Sequence, residues 1–211
     1  ARVNPLGLIN NYQVGWRRRL SKKDSTLFQD TYAFVGPAAT ITPAWTRVGL
    51  SAEAQALAVL RVFGRIDGVG YYGTFDQILP FDAASPYSDQ TIADRGDEAS
   101  ATTGWLATLG ATVRAKVGPI AVRNTGQAVH MDLALDGGTH FYDQLSDRLV
   151  PDGGWVVLND ADVLYVAGPL RLGARHSFTA TLDGSGDTTD AALANHRLGP
   201  LFAWQFSDKK P

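Results

Sequence analysis

Three polar side chains lie close together in the chain, His140, Asp143 and Ser146, and they are of the types that build a nucleophilic triad. In such a triad a histidine removes the proton of a serine hydroxyl while a carboxylate orients the imidazole, which is the chemistry of acyl hydrolysis. All three fall in a polar segment, 136–153, where nothing in the sequence fixes their relative geometry. We therefore favour an ordinary polar loop over a catalytic centre.

Two further motifs have a chemical interpretation that the sequence does not favour. His176 and Ser177 are adjacent within a predicted strand, where neighbouring side chains point to opposite faces, so they cannot readily act as base and nucleophile. Residues 183–187 have the oxygen spacing of a calcium loop, but Ala194 stands where the closing glutamate would be. The chain also has no cysteine. We predict neither a metal site nor a cofactor.

Arginine is the basic residue that dominates the polar side of the predicted strands. A strand that faces water usually carries lysine, whereas the planar guanidinium suits partly enclosed networks with carboxylates. The pattern therefore predicts an enclosed charge network on one face of a sheet. Its predicted members are Arg17, Arg47, Glu53, Arg61, Arg65, Arg114, Asp160, Asp162, Arg171 and Arg175.

The elements that must position these charges are β-strands with one apolar and one polar face. Over 105–117 the chain places Trp105, Leu109 and Val113 at one parity and Thr112 and Arg114 at the other, a period of two that predicts a strand. The same pattern recurs through most of the chain. It predicts strands at 8–20, 31–42, 44–72, 105–117, 119–135, 154–167, 170–183 and 197–206.

The links between these strands alternate in length. Long links at 21–28, 73–104, 136–153 and 184–195 follow every odd strand, and short links that contain proline follow the even ones. This layout is typical of an antiparallel up-and-down transmembrane β-barrel, here with eight strands in a single domain, 1–211. Segment 44–72 is too long for one crossing. A hidden turn near 55–58 would break the alternation, so we predict one projecting strand over the alternative of two.

Composition narrows the possible surroundings of the chain. No stretch approaches the roughly 18 consecutive apolar residues of a membrane helix, so any crossing must use a closed barrel. A net charge of -2 and a pI of about 6.1 give no basic field for nucleic acid. The chain begins at Ala1 without an apolar leader, as expected either of an exported protein whose signal peptide was removed or of a shortened sequence.

Segment 197–206 has apolar residues at alternate positions and a closing aromatic, Phe206. It resembles the final strand of bacterial outer-membrane β-barrel proteins, although that family usually ends on the aromatic and here 207–211 follow. The resemblance implies a Gram-negative cell envelope, outer-membrane lipid around the barrel and recognition by the barrel assembly machinery. The residues themselves assign the two faces: the arginine bias places the polar face in the lumen, and the aromatics towards the strand ends place the apolar face against lipid, with an ordinary sandwich core as the alternative.

In a narrow barrel the charges would fill the lumen and leave function to the loops. We predict a structural or binding scaffold, with a protein or glycan partner at loop 73–104; packing of that loop over the barrel mouth is the alternative. The candidate contact residues are Phe75, Ile78, Leu79, Phe81 and Tyr87. The alternative functions are a narrow anion-preferring channel and an outer-membrane lipid hydrolase.

Overall fold

The structure is a computed structural model, which describes residues 9–23, 25–28, 30–74, 78–82, 88–143, 146, 148–182 and 194–204. These residues form thirteen strands, one short α-helix and one 3-10 turn. The strands are β1 Asn10–Gln13, β2 Trp16–Arg19, β3 Tyr32–Ile41, β4 Trp45–Leu57, β5 Leu60–Tyr72, β6 Leu79–Phe81, β7 Ala101–Val117, β8 Ile120–Leu133, β9 His140–Asp143, β10 Arg148–Pro151, β11 Gly154–Ala167, β12 Leu170–Leu182 and β13 Asn195–Trp204. The helix, α1, is Asp89–Asp94, and the 3-10 turn is Gly96–Glu98.

Ten strands form one antiparallel sheet, which we call the main sheet. Its order is β1, β3, β4, β5, β7, β8, β11, β12 and β13, and β2 extends β1 along the same side of β3. Apart from the inserted loop strands, each strand therefore pairs with its neighbours in sequence. The prediction of an all-β, antiparallel chain is confirmed. A second sheet of β10, β9 and β6, the small sheet, is built from the long links.

The prediction of one long strand over 44–72 is wrong. The chain turns at Ala58 and Val59, and β4 pairs with β5. A two-residue turn would normally exchange the faces of odd and even positions. Here the register shifts between Ala54 and Leu57, which adds one residue to β4. Such a bulge offsets the exchange, and the alternation continues through the turn as if there were none.

Because β1 and β2 share one place beside β3, the ten strands occupy nine places across the main sheet, where eight were predicted. The turn at 58–59 accounts for the additional one. It also changes which links share an end of the sheet. The two-residue turns at 58–59, 118–119 and 168–169 lie at one end, the tight-turn end. The connections from β5 to β7, β8 to β11 and β12 to β13 leave from the opposite end, the loop end. The link before β3 was predicted to lie with the long loops, but it is at the tight-turn end. The turn at 58–59 adds one strand, so every later strand runs in the direction opposite to the one predicted.

Glycine conformation explains two of the tight turns. Gly118 and Gly168 have φ values of 56° and 58°, and each is followed by proline in sequence. A two-residue hairpin turn needs positive φ at its first central position, which glycine adopts without a steric penalty. Proline at the second position supplies a fixed negative φ. The two glycine-proline pairs therefore close the hairpins β7–β8 and β11–β12.

Burial on the main sheet is the reverse of that on a water-soluble sheet. On β7, Leu109 is 68% exposed and Val113 52%, whereas Thr112, which points the other way, is 7% exposed. Asp67 and Asp162 are 4% and 3% exposed on the same side as Thr112. We call the side of Thr112 the inner face and the side of Leu109 the outer face. At these central positions the inner face is polar and buried, whereas the outer face is apolar and uncovered.

The inner face becomes apolar at the loop end, where the small sheet covers it. Ile78, Phe141 and Val150 from the long links pack with Trp45 and Leu106 of the main sheet, all at most 4% exposed. A second buried cluster lies within the links themselves. It contains Leu79, Phe81, Ile92, Tyr142 and Leu149. The long links are thus folded onto the main sheet by their own apolar side chains.

Candidate functional site

The pairing register brings all ten predicted charged residues onto the inner face of the main sheet. Asp162 of β11 lies opposite Arg123 of β8 and Arg175 of β12, and Arg114 lies opposite Arg123. The remaining members occupy positions that pair with other inner-face residues. The pairing register thus places these residues on one face and decides which charges meet.

The most buried carboxylate of these ion pairs is that of Asp162, whose side chain is 2% exposed. Arg123 donates to Asp162 Oδ2 from Nε at 2.9 Å. Arg175 donates from Nε to Oδ1 at 2.6 Å and from Nη2 to Oδ2 at 3.0 Å. One carboxylate thus holds two guanidinium groups from the strands on either side. Arg123 was not among the predicted members, although it has the polar parity of its predicted strand.

A second acidic residue, Asp160, lies one inner-face position away on β11. It accepts a hydrogen bond from Ser177 Oγ at 2.5 Å, and Arg175 Nη1 is 3.8 Å from its Oδ2. Because the Asp160 side chain is 48% exposed, its attraction for Arg175 is screened by solvent. Asp160 therefore extends the Asp162 cluster without enclosing it further.

A separate cluster surrounds Glu53 near the tight-turn end. Tyr32 donates its hydroxyl to Glu53 Oε1 at 2.7 Å, and Arg61 Nη1 is 3.6 Å from Oε2. The Arg17 guanidinium lies over the Tyr32 ring at 3.8 Å from its centroid, a favourable cation–π contact. Four strands, β2 to β5, are joined by this cluster. Tyr32 was missed because a tyrosine at a strand end gives no sequence signal of a carboxylate partner.

The other predicted arginines have partners of different kinds. Arg65 donates to Asp67 at 2.7 Å and to Thr40 Oγ1 at 3.3 Å. Arg47 stacks at 4.4 Å over Trp45 and donates to the Tyr71 hydroxyl at 3.5 Å, which places it at the apolar loop end. Arg114 donates from Nε to the Ala58 carbonyl at 2.8 Å. The inner face thus contains several local networks rather than one.

A cavity of about 600 Å³ adjoins the Asp162 cluster at the tight-turn end. The turn residues Ala58 and Val59 form part of its wall, together with apolar residues of β8, β11 and β13. Its charged lining consists of Arg114, Lys116, Arg123, Asp162, Arg171 and Arg175. Basic groups therefore dominate the polar surface of this cavity.

The residues considered for catalysis do not form a triad. The Nδ1 atom of His140 is 3.0 Å from Thr139 Oγ1, and burial lowers the pKa of the imidazole. Asp143 Oδ2 accepts from the Ser146 backbone N–H at 3.0 Å, and Ser146 Oγ donates to the Asp143 carbonyl at 3.4 Å. The serine hydroxyl is therefore directed at a backbone carbonyl. His140 and Asp143 also differ in parity along β9, so their side chains leave opposite faces.

His176 and Ser177 lie on opposite faces of β12, in agreement with the sequence analysis. Ser177 is bound to Asp160 on the inner face, while His176 Nε2 is 3.1 Å from His196 Nδ1. Among the described residues, no group of three or more histidine, cysteine, aspartate or glutamate side chains could hold a metal ion. The segment 183–187 with calcium-loop spacing lies outside the described residues.

The predicted loop contact residues divide into two groups. Phe75 and Tyr87 lie outside the described residues. Ile78, Leu79 and Phe81 are 2%, 0% and 2% exposed, and they pack in the two buried clusters of the long links. Such burial is expected if the loop packs over the sheet, which was the alternative to a partner site in loop 73–104. As placed, these three side chains cannot reach a partner.

Comparison of the chain with protein-family models, with curated proteins and with solved structures finds no match. Within the part of the chain that the structure describes, no helix is long and apolar enough to cross a membrane. The two faces of the main sheet are therefore the features of the molecule that bear on its function.

Proposed function

We propose that this chain forms the wall of a β-barrel in a bacterial outer membrane and acts there as a structural or binding scaffold with a charge-packed interior. The observation that carries the proposal is the inverted burial on the main sheet. Large apolar side chains of the outer face are uncovered, whereas Asp67, Thr112 and Asp162 of the inner face are buried. Water would penalise such a surface, because monomers rarely expose large contiguous apolar patches. A lipid surrounding favours it.

Aromatic residues support the same orientation. Trp105 and Trp155 lie on the outer face near the loop end, and Tyr165 and Trp204 lie on it near the tight-turn end. On β11, Trp155 and Tyr165 are separated along the strand by about 33 Å at roughly 3.3 Å per residue. At the usual barrel tilt of about 40° this corresponds to a height of about 25 Å, which matches the apolar band between the aromatic girdles of outer-membrane barrels.

A sheet in lipid must also satisfy the backbone groups of its edge strands. In the described residues, β1 and β13 are the two ends of the main sheet. Nine antiparallel positions leave these two strands running in the same direction. Direct closure would therefore form a parallel seam, whereas one additional strand would restore antiparallel pairing. The proposal requires one of these two closures.

The contents of the inner face favour a scaffold over the alternative functions. The Asp162 and Glu53 clusters tie neighbouring strands together, and the small sheet covers the loop end. Both features fill the interior and oppose steady ion flow. A lipid hydrolase is not supported, because the Ser146 hydroxyl is directed at the Asp143 carbonyl and not at an imidazole.

Extraction and gel mobility test the membrane proposal. We expect the protein to require detergent for extraction and to migrate differently on a denaturing gel before and after boiling, since a closed β-barrel resists unfolding by the gel detergent. In planar bilayers it should give little or no steady conductance. A protein that is monodisperse when prepared without any detergent would contradict the proposal.

A further inference from the structure

The cavity at the tight-turn end has an imbalance of charge that the ion pairs do not remove. Five basic side chains line it against a single carboxylate, that of Asp162. Both oxygens of this carboxylate are already occupied by Arg123 and Arg175. Asp160 adds a solvent-screened attraction for Arg175 at 3.8 Å, so the charge of Arg123 and Arg175 is largely offset within the cluster. Arg114 and Lys116 add their positive charges to the same lining.

The strand positions of the basic residues place them beside one another on the inner face. Arg114 and Arg123 lie directly opposite each other on β7 and β8, where neighbouring strands are about 4.8 Å apart. Lys116 is the next inner-face residue on β7, and Arg171 and Arg175 follow the inner face of β12. Like charges at such spacing repel one another. An anion bound among them would relieve this repulsion.

Neighbouring apolar residues strengthen the attraction for an anion. Leu164, Leu201 and Ala121 form part of the cavity wall, and low-dielectric walls focus the field of nearby charges. A volume of about 600 Å³ is in the range of small-molecule sites. Guanidinium groups hold phosphate oxygens through paired, charge-assisted hydrogen bonds.

We propose that this cavity binds a small anion that carries phosphate groups, with Arg114, Lys116 and Arg123 among its contacts. The proposal rests on the proposed function in one respect, because closure of the barrel would place the site inside it. At the opposite end the small sheet covers the inner face. The anion therefore enters from the tight-turn end.

Inorganic pyrophosphate is the probe, titrated by calorimetry into folded protein in neutral detergent at low ionic strength. Binding to the wild-type protein should be saturable and should weaken as salt is added. Arg114→Gln and Lys116→Gln should each weaken it by about tenfold, as expected for loss of a charge-assisted contact. Lys23→Gln is the matched control, because it removes one positive charge outside the cavity lining. Its affinity should stay within about twofold of the wild-type value.

Asp162→Asn gives a prediction of opposite sign. Removing the carboxylate charge frees two guanidinium groups for the anion, so pyrophosphate should bind more tightly even though the sheet is destabilised. If this variant does not fold, Lys116→Glu replaces it and should abolish binding in protein that still shows the gel mobility shift. Absence of saturable binding, or equal affinity in Arg114→Gln, Lys116→Gln and Lys23→Gln, would overturn the inference.

Two further measurements are needed. The first distinguishes a free phosphate compound from a lipid headgroup, and the second tests the anion site and the membrane proposal independently. Phosphatidylglycerol added to the micelles should not displace pyrophosphate; efficient displacement would assign the site to a lipid headgroup and overturn entry of a free solute. Protein that binds pyrophosphate but is monodisperse without detergent would contradict the membrane proposal alone. Protein that inserts and shows the mobility shift but binds no pyrophosphate would contradict this inference alone.

Discussion

Leu109→Arg should strongly reduce the fraction of protein that folds into lipid vesicles. Leu109 is near the middle of β7 on the outer face and is 68% exposed. At the midplane of a bilayer, arginine on the lipid face of a barrel costs about 2–4 kcal/mol. On a surface in water the same change would alter stability by about 0.5 kcal/mol or less. The folded fraction is read from the gel mobility shift after incubation with vesicles, and the free energy from denaturant titration.

Leu27→Arg is the matched control for this experiment. Leu27 is 44% exposed but lies in the link between β2 and β3, outside the main sheet. The control should fold into vesicles as the wild-type protein does. Equal folding of the Leu109 and Leu27 variants would show that the outer face does not contact hydrocarbon.

Phe141→Ala should release the small sheet from the inner face. Phe141 is 0% exposed and belongs to the cluster that joins the long links to Trp45 and Leu106. Truncation of a buried phenylalanine to alanine typically costs about 3–5 kcal/mol. We expect a loss of this size in the free energy of unfolding, and faster amide exchange in β9 and β10. Because the loop end would be less well covered, steady conductance in planar bilayers should rise.

Phe28→Ala controls for the loss of an aromatic ring. Phe28 is a half-buried residue of the link before β3, near Lys23. Because its ring is only partly removed from water, its truncation should lower the free energy of unfolding by clearly less than that of the fully buried Phe141. If both variants were equally stable and equally closed to ions, the small sheet would not be held by Phe141, and the cover of the inner face would need another origin.

The sequence predicted the two faces of the main sheet because side-chain direction depends only on strand parity. Arg175 and Asp162 could be assigned to one face without knowledge of the fold. The pairing of Arg123 with Asp162 could not be predicted from the sequence. These residues are 39 positions apart and meet only through the register of β8 and β11. Register is fixed by turn geometry and tertiary packing, which a single strand pattern does not report.

The turn at Ala58 and Val59 was missed for a local reason. Alternation of apolar and polar residues indicates a strand, and a bulge combined with a two-residue turn leaves that alternation intact. The position of Ile78 and Phe81 was uncertain for a different reason. Apolar residues in a long loop are consistent with a partner site or with packing on the loop's own sheet. Only the tertiary structure, which buries Ile78 against the main sheet and Phe81 within the long links, separates these two outcomes.

Accessibility of consecutive positions on β7 tests the central claim, that the outer face contacts lipid. The chain contains no cysteine, so single cysteines can be placed in turn at 108, 109, 111, 112 and 113 and spin-labelled in vesicles. Gly110 is left unchanged, because a side chain there would clash with the Phe63 ring. Labels at 109, 111 and 113 should be reached by dissolved oxygen, which concentrates in hydrocarbon, and shielded from a water-soluble nickel complex. Labels at 108 and 112 should be reached poorly by oxygen. If the odd-numbered labels were instead open to the nickel complex, the outer face would be in water and the membrane proposal would be wrong.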